Sequence, residues 1–379
     1  MGLTETAKTD RARMIPKPVI VFDTATQPFL SNRIFDPVHA ARFPGASWLS
    51  CLNDRCIERG WQMMTADVFL DNQVAASSVL CISDMVTPYT QRLLARGAIP
   101  TVIWCGESPN VAWDFYHHLT RYTAHYKHAF MFRGVQNLVQ QPTQFHSFYW
   151  PNSQRHALCD LPWGERGFLV LIASNKRRFQ VSNRKPFEGV RRLGKQVVWR
   201  YLQARNQVFQ FEDLYQKRLE AILHFAKVPG FQLLGAGWEQ ANGLPGKYYQ
   251  AAQQVWAGSL EYQRKREVMS SFKFTLCFEN CIFPGYVTEK IFDCFLAGCI
   301  PIYFGAPDIA DFVPPQTFID FRQFGDYADL DRFLRSMTEA DACHYLEAAQ
   351  DFLASSAFDR FTVDYFVSDV LNSIEQEFL

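Results

Sequence analysis

A chain of 379 residues is too long for one ordinary hydrophobic core and calls for two domains; at 48% hydrophobic residues both can be packed. Lysine plus arginine and aspartate plus glutamate balance at 38 each, so there is neither the basic excess of a nucleic-acid binder nor the acidic excess of a disordered chain. No apolar run is long enough to cross a bilayer; segments such as Gly167–Ala173 are strand-length.

The opening stretch MGLTETAKTDRARM has no apolar signal core, which sets the expectation of a soluble, cytoplasmic protein. The 10 cysteines form no C-x-x-C and no Cys/His group at zinc spacing, as expected for free thiols in a reducing compartment. Apolar runs at Pro18–Phe22, Trp61–Thr65, Ser78–Ile82, Thr101–Cys105 and Ala129–Phe132 predict the strands of a first α/β unit. After the fourth of these the chain reads GESPN. Glu107 therefore projects from the carboxyl end of a strand, where doubly wound folds keep their ligands, and Pro109 restrains the turn. On these residues alone Glu107 is either a site carboxylate or an ordinary loop carboxylate capping the next helix.

Pro151, Pro162 and Gly164 mark a linker, and a second α/β unit follows. Its expected strands are Phe168–Ala173, Phe231–Leu234, Phe272–Phe278, Cys299–Phe304 and Thr317–Asp320. The expected division is an N-terminal α/β domain over 1–155, a C-terminal α/β domain over 156–345 and a helical segment over 346–379. Tyr365, Phe366, Val370 and Ile374 give that last segment helical spacing, suited to packing across a cleft or capping the second domain. Between the first two strands of the second unit, residues 176–205 carry ten basic residues against Glu188 alone. One reading is peripheral contact with an anionic partner such as the inner membrane. The plainer reading is a solvated basic insertion, favoured because no aromatic series or amphipathic repeat accompanies it.

The most informative stretch is FKFTLCFENCIFPGYVTEKIFDCFLAGCIPIYFGAP, residues 272–307. Phe274, Leu276 and Phe278 lie on one face of a buried strand, with Thr275 and Cys277 on the other. Pro284 and Gly285 break the chain, Thr288 is an expected N-cap, and Ile291, Phe292, Phe295 and Leu296 give a helical apolar stripe ending near Gly298. This is a βαβ unit whose polar residues gather at one end. Lys290 falls in the first turn of the helix, against the helix dipole, and a nucleotide phosphate would resolve that conflict.

FENCIFPGYVTEKIFDCFLAGCIPIYFGAPDI resembles the donor-binding motif of glycosyltransferase family ten, the α1,3/4-fucosyltransferases, without a gap from Phe278 to Lys290. Cys281 stands for the usual Ser, Gly285 for a frequent Asp and Asp308 for a frequent Asn. GESPN resembles the family's E-S-P motif, and LIASNK its V-x-S-N strand. The resemblance implies a soluble bacterial-type member with the GT-B architecture, two Rossmann-like doubly wound domains around a cleft, as the tandem α/β pattern also suggests. It implies inverting transfer of L-fucose from GDP-β-L-fucose to a glycan hydroxyl, α1,3 to GlcNAc or glucose. GDP-fucose is the donor substrate, a glycoconjugate the acceptor, and no further cofactor or nucleic-acid partner is expected.

The same resemblance assigns roles. Glu107 is the catalytic base. Lys290 and Arg218 are the cations that meet the diphosphate, with Lys176, Arg177 and Lys217 as competitors because the basic insertion shifts the register. Glu289 contacts ribose or sugar hydroxyls, Asn280 and Tyr286 hydrogen-bond fucose or phosphates, and Asn175 lines the nucleotide pocket. Glu279 completes the donor-binding set, with the alternative that it is structural and bonds its own loop. No D-x-D occupies a strand end, so no catalytic metal is expected, and helix capping accounts for Asp308 and Asp311. The alternatives are a GT-B enzyme with another nucleotide-sugar donor and a catalytically dead sugar-nucleotide- or glycan-binding protein.

Overall fold

The computed structural model describes residues 18–74, 76–152, 161–175, 194 and 211–378. Apart from Gly194, the basic segment 176–205, with Lys176 and Arg177, lies outside the described residues, as do the opening stretch and the expected 155/156 boundary.

Two parallel sheets organise the chain. The first has the order β2-β1-β3-β4-β5-β6, from Val19–Asp23 (β1), Gln62–Thr65 (β2), Val79–Asp84 (β3), Ile99–Trp104 (β4), His128–Met131 (β5) and Gln144–Ser147 (β6). Every residue of β1 is buried, as an apolar run without alternation requires when helices cover both faces. The sixth strand has no counterpart in the sequence reading. QFHS carries one large apolar residue and is only half-buried at the sheet edge, so neither propensity nor alternation marks it.

The second sheet has the order β13-β12-β10-β7-β9, from Gly167–Ile172 (β7), Phe231–Leu234 (β9), Phe272–Phe278 (β10), Ile300–Phe304 (β12) and Ile319–Asp320 (β13). Its centre is β10, whose Phe274, Leu276 and Phe278 enter one core layer with Ile300, Ile302 and Phe304. Cys277 faces the opposite layer, among Ile291, Phe292, Phe295 and Leu296 of the helix Glu289–Leu296. A short antiparallel ladder joins Glu212–Asp213 (β8) to Cys281–Ile282 (β11). It clamps the chain leaving the basic insertion onto the loop after β10.

The helix Glu339–Ala354 spans the expected 345/346 boundary and packs on the second unit, with Phe352 against Phe295 and Phe358. The helix Val363–Glu375 then returns to the first unit. Phe366 meets Trp48, Phe148 and Phe130 edge-on at 4.8, 5.2 and 5.6 Å, and Val370 and Ile374 are fully buried in the same core. The C-terminal segment thus crosses between the units.

The units are also joined directly. Arg133, after β5, pairs with Asp308 and Asp311, and Asp308 accepts the Gly285 N–H at 2.8 Å. Gly285 has φ +74°, and its backbone runs so close to Arg133 that a Cβ there would lie 2.9 Å from the Arg133 nitrogen. Asp308 makes no helix-capping bond; its carboxylate is a counter-ion between units, which corrects the capping expectation. Among the described residues no helix is long and apolar enough to cross a membrane. The described cysteines are free thiols, buried except for Cys51 and Cys343.

Candidate active site

A cleft opens at the carboxyl ends of β7, β9 and β10. Its walls include Ala173, Ser174, Gly235, Tyr262, Lys265 and Thr275, and it is also lined by Arg218, Asn280, Glu289 and Lys290. These last four are sequence-predicted donor residues, and the structure brings them together. Glu279, Tyr286 and Asn175 do not line the cleft.

Glu279 lies below it, 0% exposed. Its Oε1 accepts the Thr288 N–H and hydroxyl at 2.9 Å each, and its Oε2 accepts Lys290 Nζ at 2.9 Å. Gly305 makes room: a Cβ there would sit 2.5 Å from Glu279 Cγ. Thr288 stands at the N-cap but makes no capping bond, because its hydroxyl serves Glu279 and also accepts Lys290 Nζ at 2.8 Å. Glu279 and Thr288 therefore aim Lys290. Burial alone would lower the Lys290 pKa, but the Glu279 and Glu289 carboxylates raise it overall, so the ammonium stays charged.

Tyr286 is 2% exposed and packs edge-on against Phe132 of the first unit at 4.9 Å. Asn280 Nδ2 donates to its hydroxyl at 3.1 Å, which links Tyr286 to the cleft. Asn175 pins the end of β7 to the loop after β9, donating to Gly237 and Gln240 carbonyls at 2.9 and 3.2 Å. These three side chains hold the site rather than face it. From sequence they read as donor contacts, with a structural role in its own loop as the alternative for Glu279, because nothing local reveals that their loops are stacked on one another.

Arg218 reaches the cleft through the β8–β11 ladder. The Leu214 N–H donates to the Asn280 carbonyl at 3.0 Å, so the helix Tyr215–Phe225 starts beside the motif loop. The guanidinium donates to the Phe278 carbonyl at 2.7 Å and to Asn280 Oδ1 at 3.0 Å. Among the described residues it has no ion-pair partner. Burial lowers its pKa and the Glu279 carboxylate works against that. A cation held by neutral oxygens in a half-buried cleft is a ready receptor for an anion. Lys217, its competitor, instead points outward, 3.2 Å from Glu220.

The loop after β4, which carries Glu107, is tied to Asn280 beside the cleft, but none of its residues is among those that line it. Ser108 Oγ donates to Asn110 Oδ1 at 2.5 Å, Asn110 Nδ2 donates to the Asn280 carbonyl at 3.0 Å, and Asn280 Nδ2 donates to Ser108 Oγ at 3.4 Å. This stitches the GESPN loop to the loop after β10. Tyr116 fixes the Glu107 backbone by donating to its carbonyl at 2.8 Å. The Glu107 side chain is exposed, and among the described residues no cation pairs with it.

Sequence reasoning missed Asp84, Lys265 and Asp293. Asp84 ends β3 next to Trp104 of β4, so it neighbours Glu107. Burial pushes its carboxyl up to about 7, with the charges of Glu107 and Asp23 adding to the shift. Lys265 donates to Asp293, which is 1% exposed, at 2.7 Å. No motif spacing connects these residues; only the fold does.

The sequence model described as "Glycosyltransferase family 10 (fucosyltransferase) C-term" matches residues 244–352. The alpha-(1,3)-fucosyltransferase FucT of Helicobacter pylori is 41% identical over 81 residues, 21% of this chain and 17% of that protein. The alpha-(1,4)-fucosyltransferase of Arabidopsis thaliana is 41% identical over 76 residues, 20% of this chain and 19% of that protein. The match thus covers under a fifth of the length of these curated relatives. In fold, the chain resembles the sucrose-phosphate synthase of Thermosynechococcus elongatus, with TM-score 0.54, 10% identity and coverage of 96% of this chain and 99% of that one. The architecture is that of the GT-B fold: two parallel-sheet α/β units, with the cleft at the strand ends of the second. Residues 244–352, which include the motif around Glu289 and Lys290, match the C-terminal domain of glycosyltransferase family 10.

Proposed function

We propose that this chain transfers L-fucose from GDP-β-L-fucose to a hydroxyl of a glycan acceptor, α1,3 to GlcNAc or glucose, with inversion at the anomeric carbon. The observation that carries this reading is Arg218, a cation without a carboxylate partner among the described residues, beside Lys290 in one cleft. Two cations suit a diphosphate leaving group. The names of the curated relatives point to fucose as the sugar.

In the proposed reaction the acceptor hydroxyl gives its proton to the Glu107 carboxylate. Its oxygen bonds to C1 of fucose from the face opposite the phosphate. The C1–O bond breaks with its electron pair going to GDP, and Arg218 and Lys290 meet the charge that develops there. Glu289 accepts hydroxyls of the ribose or sugar. Glu279, Asn280, Tyr286 and Asn175 position these groups, and Asn280 ties donor and acceptor walls together through Ser108 and Asn110.

Incubation with GDP-fucose, other nucleotide sugars and a panel of acceptor disaccharides tests this. Transfer from GDP-fucose with an α-linked product read by NMR is expected. Transfer from a UDP-sugar instead, or GDP binding with no transfer to any acceptor, would contradict it.

A further inference from the structure

Six charged side chains alternate in sign in and beneath the cleft, and Lys290, Glu289 and Lys265 are the three that line it. Glu279 accepts Lys290 at 2.9 Å, and Lys290 lies 3.7 Å from Glu289. At the other end Asp293 accepts Lys265 and Arg266 at 2.7 Å each. Lys265 and Glu289 face the same cleft and close the row. Lys265 is not placed to be a mobile phosphate ligand. Its side chain is 14% exposed, and withdrawing the ammonium would leave the buried Asp293 with one counter-ion fewer.

Glu289 is the member whose charge most needs support. Burial alone would raise its pKa; the Lys290 and Lys265 ammoniums, with smaller help from hydrogen bonds of its own N–H and of Thr288, hold it below the usual range. The other groups facing it do not supply that charge. Glu279 repels it, Asp293 and Arg266 offset each other, and burial with the Asp293 and Glu289 charges keeps the Tyr262 phenol neutral. Glu289 would then be an ionised acceptor flanked by two fixed cations, suited to the vicinal hydroxyls of a ribose or sugar.

We propose that Lys265, pinned by Asp293, is a positioning residue that holds the Glu289 carboxylate ready for the donor's hydroxyls. The inference rests on the donor reading above. In the wild type Glu289 stays ionised across pH 5.5–8. Without the Lys265 charge its pKa climbs, it takes up a proton toward pH 5.5, and its acceptor capacity is lost.

The test is GDP affinity of the full chain by titration calorimetry from pH 8 to pH 5.5, for wild type, K265M, K265R, E289Q and K265M/E289Q. Quoting each Kd relative to its Lys265 parent cancels the titration of GDP itself. The K265M ratio should grow at least about threefold as pH falls, as expected when a carboxylate that has lost a neighbouring cation takes up a proton. K265R should restore a flat ratio, and K265M should be pH-flat on the E289Q background. If K265M fails to fold, K265Q, which keeps a donor for Asp293 but no charge, should show the same trend. Wild-type GDP binding with a pH-flat ratio in K265M or K265Q would overturn the inference alone. Absence of GDP binding by the wild type would overturn the donor reading and this inference with it.

Discussion

Replacing Arg218 by alanine removes the cation that lacks a carboxylate partner among the described residues. The guanidinium makes two hydrogen bonds, to the Phe278 carbonyl and to Asn280 Oδ1. Losing them costs stability, but losing a half-buried charge regains part of it, so the unliganded protein should change little. Binding should respond differently. A charge-assisted contact to a phosphate is worth about 2 kcal/mol, or roughly 30-fold in Kd. At a GDP concentration about 100 times the wild-type Kd, GDP stabilises the native protein by about 2.7 kcal/mol. A 30-fold weaker variant retains only about 0.9 kcal/mol at the same concentration. Thermal melts with and without GDP measure this directly, with UDP as the control. If Arg218→Ala keeps the full GDP shift, its guanidinium does not face the diphosphate, and Lys176 or Arg177 takes its place.

Three further outcomes are expected. Glu279→Gln sets an amide N–H₂ against the Lys290 ammonium, so it should destabilise the fold by about 3 kcal/mol in urea unfolding; an unchanged midpoint would mean that Glu279 is not its counter-ion. For Asp84 the folded pKa, raised to about 7, exceeds the ordinary 3.8. The folded state therefore holds the extra proton between those values, and stability is lost as pH rises through 7. Asp84→Asn should accordingly gain on wild type, on the order of 1–3 kcal/mol at pH 8, and not at pH 4; equal stability at both pH values would refute it. In the proposed reaction Arg218 and Lys290, not a metal ion, meet the leaving diphosphate, so turnover should survive excess EDTA; loss restored by Mg²⁺ or Mn²⁺ would show otherwise.

What the sequence revealed follows from which interactions are local. The apolar runs of β1, β10 and β12 are written in consecutive residues, and so is the stripe of the helix Glu289–Leu296, so both sheets were legible. β6 was not, because its half-buried edge position puts little demand on its side chains. Glu289 and Lys290 were legible from one motif. Their support was not: Lys265 arrives from a helix ahead of β10, and Arg218 is set by a ladder between segments about seventy residues apart. Asp308 and Asp311 read as caps because a cap is a local solution. Their partner Arg133 comes from the other unit.

The central claim is that base and donor anchor come from different walls of one cleft. Glu107→Gln and Glu289→Gln, measured side by side for GDP affinity and for turnover of GDP-fucose, test it most directly. Glutamine cannot take up the acceptor proton, so Glu107→Gln should lose at least roughly 10²-fold in kcat with GDP affinity almost unchanged. Glu289→Gln should weaken GDP binding. Retained turnover in Glu107→Gln, or a defect confined to its GDP affinity, would contradict the account and move the base to Glu289, a carboxylate that lines the cleft.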